Sequence, residues 1–137
     1  MEKPGYRSLN GIGPLGSGEQ EFFVSNKQID HLNRYGPESR YFELQSVADV
    51  LSSPRVIFKG LRRQGKEDAI CYVGTPRRYG DGWTSPGHPG MVFLVCMTVE
   101  WILFEWGWEK ADPNNSNYPT NVTLRFEKEI WKQSENS

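Results

Sequence analysis

The chain has 137 residues, enough for about one domain that buries its own core without disulfides or metal to support it. Lys plus Arg number 16 against 17 Asp plus Glu, a net charge of -1, which excludes a global positive field and leaves any nucleic-acid contact to a local patch. No run approaches membrane-spanning length and Met1-Glu-Lys-Pro-Gly lacks an apolar signal core, so the expectation is a cytoplasmic domain with no membrane contact.

The first twenty residues hold five glycines and few large apolar groups, and read as a flexible lead-in over 1–20. A single domain over 21–132 and a frayed tail over 133–137 complete the division. Ser25 followed by Gln28 is a capping-box pattern, and Ile29 and Leu32 supply a short apolar stripe before Gly36-Pro37, which predicts a helix over about 25–35. A second helix is predicted from near Ser39, because Leu44, Val47, Ala48 and Leu51 follow helical spacing and Pro54 stops it. From Arg55 the period changes: Val56-Ile-Phe and Ala69 to Val73 flank a polar turn and read as a hairpin. Met91 to Thr98 is almost wholly apolar, as a central strand covered on both faces would be. Ile102 to Trp108 alternates with one wet face, Asp112 to Pro119 is turn-forming throughout, and Val122 to Ile130 forms a last strand. The fold class expected is α+β, with two N-terminal helices packed on one face of a four- to five-stranded antiparallel sheet.

Cys71 and Cys96 each sit in an apolar segment without a Cys-x-x-Cys partner, and read as free buried thiols. Were their strands neighbours, a disulfide would be open to them. Two distant histidines match no ligand spacing, and no Gly-x-Ser-x-Gly or Walker-type loop occurs, so neither metal nor cofactor is expected.

The residues able to carry chemistry fall in four places. His31 and Arg34 share a face of the first helix, an imidazole for proton transfer beside a guanidinium for a phosphoryl oxygen. Lys59, Arg62, Arg63 and Lys66 cluster at the first hairpin. The glycine- and proline-broken connection Gly74 to Gly90 adds Arg77, Arg78, Tyr79, Trp83 and His88, cations interleaved with aromatic faces as single-stranded nucleic acid requires. Thr123 and Arg125 share the polar face of the last strand, where a hydroxyl and a guanidinium could stabilise a pentavalent phosphate. Each group also has a bland reading as solvated surface, and Tyr72 has one as core.

The run Gln28-Ile-Asp-His-Leu-Asn-Arg, then Val47-Ala-Asp-Val-Leu-Ser-Ser-Pro-Arg-Val-Ile-Phe-Lys-Gly, then Tyr72 and two apolar strands, resembles the phage-associated branch of the barnase, EndoU, colicin and RelE ribonuclease superfamily. The resemblance covers roughly residues 28–131. It implies a metal-independent endoribonuclease of toxin or effector type, with RNA as substrate and an inhibitory immunity or antitoxin protein as partner. By this resemblance His31 is the acid/base group, Lys59 a phosphate contact, Tyr72 an active-site strand residue, and Thr123 with Arg125 the transition-state contacts; Arg34, Arg62, Arg77, Arg78, Tyr79, Trp83 and His88 remain as substrate contacts. The slightly acidic charge and the long 74–90 connection depart from the family. The alternative is a non-catalytic binding or accessory domain, since Tyr, Trp and Arg also dominate protein interfaces.

Overall fold

A computed structural model describes residues 3–32, 37–62, 65–76, 91–120 and 124–133. The chain opens with strands β1 (Tyr6–Ile12) and β2 (Glu19–Ser25), which form an antiparallel hairpin, followed by helices α1 (Asn26–Leu32) and α2 (Pro37–Ser52). Strands β3 (Val56–Arg62), β4 (Asp68–Gly74), β5 (Met91–Thr98), β6 (Leu103–Asp112), β7 (Asn115–Pro119) and β8 (Leu124–Lys132) then build one antiparallel sheet in the order β7-β6-β5-β4-β3-β8.

This overturns the expected α+β arrangement. The protein is mostly β, the sheet has six strands, and a hairpin precedes the helices and shares with α2 the task of covering the sheet. The residues read as a flexible lead-in supply β1, and the turn-forming stretch after Asp112 supplies β7. Two of the glycines that suggest chain freedom serve close packing instead. A Cβ at Gly11 would strike the Leu51 carbonyl of α2, and Gly16, at φ +81°, lies against the Trp131 indole. Other expectations hold: β3 and β4 form the hairpin, β5 is buried on both faces, and α2 ends at Ser52, two residues before Pro54. Ser25 caps α1 as its sequence suggests, accepting from the Gln28 amide at 3.2 Å.

Alternation divides the sheet into two faces. On the hairpin face Ile57, Ile70, Tyr72, Phe93, Val95, Met97 and Leu103 pack with Phe22 and Val24 of β2 and Val47, Val50 and Leu51 of α2. On the opposite face Val56, Phe58, Ala69, Cys71, Val73, Val92, Leu94 and Cys96 form a second buried cluster, with Phe104 and Phe126 against it. On this second face the Arg62 guanidinium of β3 lies 4.1 Å from the Phe104 ring of β6, a contact spanning β4 and β5, so the sheet curls toward it.

The hairpin crosses its face diagonally. At one end β2 abuts the start of β6, where the Phe23 amide donates to the Trp101 carbonyl at 2.9 Å. At the other, the β1–β2 turn meets Trp131 of β8. At a corner away from that diagonal, β3 and β8 are open among the described residues, with Lys59, Arg125 and Lys128 exposed and Leu61 half-buried.

Candidate nucleic-acid interface

β8 is not a regular strand. Its pairing with β3 slips twice, so that Trp131 opposes Ile57, Glu129 opposes Phe58, Lys128 opposes Lys59, Phe126 opposes Gly60 and Arg125 opposes Leu61. Each slip inserts one extra residue, Ile130 and then Glu127, the geometry of a β-bulge. In a regular strand residues three apart face opposite ways. The bulge at Glu127 turns Arg125 and Lys128 onto the same face, together with Lys59 and Leu61 of β3.

Three cations therefore converge on the open corner. Lys59 and Lys128 stand directly opposite each other, with Cβ atoms roughly 5 Å apart, an arrangement of like charges that is destabilising by itself. Lys59 lies 4.0 Å from Asp68, with side chains 46% and 51% exposed, so the pair is a loose surface contact of small energy. Arg125 and Lys128 are exposed and have no ion-pair partner among the described residues. The corner gathers Arg125, Lys128 and Lys59, the last shared with Asp68, and the exposed carboxylate of the bulge residue Glu127 stands between the first two in sequence.

Other expected contacts lie elsewhere. Tyr72 is fully buried, stacked edge-on against Phe22 at 5.4 Å, and its hydroxyl donates to the Ile12 carbonyl at 2.7 Å. Burial pushes its phenol pKa well above the ordinary value, so it stays protonated as a structural donor. Arg62 is held by Glu67 at 3.1 Å and by the Phe104 ring. His31 belongs to α1, which packs on β2 and α2 and is tied to β6 by the Gln28 side-chain amide donating to the Phe104 carbonyl at 3.4 Å. From β6 to β3 is three inter-strand steps, about 14 Å across a sheet. The His31 side chain lies outside the described residues, as do Arg34, Arg77, Arg78, Tyr79, Trp83, His88 and Thr123. Of the expected catalytic set, the structure brings Lys59 and Arg125 onto one face, buries Tyr72 in the core, and puts the helix of His31 on that same face but toward the β6 edge. Sequence reasoning missed Lys128; only the bulge reveals it.

A second titratable group lines the opposite face, where Glu105 opposes Cys96 and Glu109 opposes Val92. Burial, then the nearby Glu105 carboxylate, raises the Glu109 pKa. Folded Glu109 holds its proton more tightly than the unfolded chain does, so its contribution to stability is lost as pH rises through the folded pKa. Glu109→Gln is accordingly expected to raise the melting temperature above that of the parent by a margin that grows from about pH 4 to about pH 7, read by thermal melts across that range. A constant margin would show that charge at this position is immaterial. Among the described residues no group of three or more His, Cys, Asp or Glu side chains is arranged to hold a metal ion, and no helix is long and apolar enough to cross a membrane.

Comparison with protein-family models, with curated proteins and with solved structures found no match.

Proposed function

We propose that this domain contacts RNA through the β3/β8 corner, with Lys59, Lys128 and Arg125 as its phosphate contacts. The observation that carries the reading is the bulged register of β8, which sets Lys128 opposite Lys59 and turns Arg125 to the same side. A bound phosphate offsets the mutual repulsion of such a pair, and a guanidinium beside two ammonium groups suits successive phosphates of one strand. A local patch of this kind is compatible with a net charge of -1.

The endoribonuclease form of the reading needs a proton-transfer pair at the same corner, and Tyr72 is spent elsewhere. The separation of α1 from the corner favours a second reading, in which the domain is a non-catalytic binding or accessory module. One experiment separates them. The parent and a Lys59→Gln, Arg125→Gln, Lys128→Gln triple variant are titrated with a labelled single-stranded RNA at several salt concentrations, and incubated with total RNA in EDTA. Three phosphate contacts on a single strand give a log–log salt slope near −2, so binding should fall about 20-fold between 50 and 200 mM salt, and the triple variant should lose most of that dependence. Defined cleavage by the parent alone extends the reading to an endoribonuclease. Binding without cleavage leaves an RNA-contacting domain, and no binding by folded parent moves the assignment to the protein-binding module.

A further inference from the structure

Cys71 of β4 and Cys96 of β5 oppose each other directly in register, with their Sγ atoms 3.4 Å apart and both residues fully buried. Opposed Cα atoms of an antiparallel pair stand about 4.5 or 5.5 Å apart, and both spacings lie within the span a disulfide bridges. Bonding distance for two sulfurs is about 2.0 Å, so closing the gap asks for sub-ångström shifts of each side chain rather than movement of the strands. Their neighbours Val73, Leu94 and Ala69 are apolar and fully or almost fully buried, which keeps solution oxidants away while the sheet is intact.

We propose that Cys71 and Cys96 are a masked dithiol that a small disulfide oxidises to an internal cross-strand bond within the native sheet. In the first step one thiol, as thiolate, attacks a sulfur of R–S–S–R; that bond breaks, R–S⁻ leaves and takes up a proton, and a mixed disulfide remains. The second cysteine, 3.4 Å away, loses its proton to solvent and attacks the mixed disulfide at the protein sulfur, expelling the second R–S⁻. Two thiols are oxidised to one disulfide and one external disulfide is reduced to two thiols. Burial, with the partner thiol and the Glu105 and Glu109 carboxylates adding to it, raises the Cys96 pKa, so the reaction waits on local opening of the sheet. Once formed, the bond ties the ends of the 25-residue span that contains the 74–90 connection.

The test incubates the full chain with oxidised glutathione, in native buffer and in urea below the unfolding transition, followed by intact mass and peptide mapping. The expected product has lost two hydrogen atoms, carries no glutathione and joins the Cys71 peptide to the Cys96 peptide; it forms slowly in native buffer and faster in urea. Its melting temperature should exceed that of the reduced protein by roughly 10 °C, from the loop closed in the unfolded chain. Cys96→Ser should instead retain one glutathione. Stable glutathione adducts on the parent, an unreacted parent in both conditions, or a lowered melting temperature of the oxidised form would each overturn the proposal.

Discussion

Replacing Tyr72 with Ala is expected to cost about 4 kcal/mol of folding stability, while Tyr72→Phe costs about 1 kcal/mol. Among the described residues Tyr72 is the largest fully buried side chain, and its ring packs edge-on to Phe22, which in turn meets Trp101 edge-on at 5.8 Å. That chain of rings fastens the hairpin to the sheet. Truncation opens a cavity beneath it, which these surroundings cannot fill without moving β2. The phenylalanine variant keeps the rings and loses only the hydroxyl donated to Ile12, leaving one carbonyl unsatisfied. Urea unfolding with an unchanged slope would check both figures. Because Tyr72 lies under the hairpin, RNA affinity should not change in the phenylalanine variant; a large loss there would return Tyr72 to the site.

Gly11→Ala should cost about 3 kcal/mol, although alanine is a small and ordinary strand residue. A Cβ at Gly11 would overlap the Leu51 carbonyl and sit 2.8 Å from the Leu51 Cβ, and Leu51 is fully buried in α2. The obstacle is backbone, which cannot rotate aside as a side-chain tip does. β1 must back away from the helix, loosening the packing that covers the centre of the sheet. Gly18→Ala makes the useful comparison. Space at Gly18 is open and only its φ of +77° opposes a side chain, so about 1 kcal/mol is expected there. Equal losses in the two variants would mean that the contact of β1 with α2 is loose.

These positions also explain why the N-terminal region was illegible in the sequence. Glycine is read as chain freedom when nothing states what lies beside it, and here Leu51 and Trp131, 40 and more residues away, make it a packing requirement. The α2 stripe, the β3–β4 hairpin and the fully apolar β5 were legible because their signals are local: helical spacing, a polar turn between β-branched runs, a strand without a wet face. Sheet order was not, since β8 returns beside β3 through long-range pairing that no local pattern encodes. The same holds at the candidate site. Lys59 and Arg125 stood out as cations on strands, but their meeting depends on the β3–β8 register. Lys128 drew no notice, because strict alternation from Arg125 sets it on the other face and only the bulge at Glu127 reverses that. Tyr72 shows the converse: expected at an active site, with core as the alternative, it is buried in the core and its hydroxyl finds an acceptor in β1, a strand the sequence did not reveal.

The most direct measurement of the RNA contact is the shift of backbone amide signals when a short single-stranded RNA is titrated into the isotopically labelled protein at low salt. The expected result is a footprint centred on Lys59, Leu61, Arg125 and Lys128 that vanishes in the triple glutamine variant. Saturable shifts confined to α1 around His31, or no shift at all in the folded protein, would contradict the assignment of this corner.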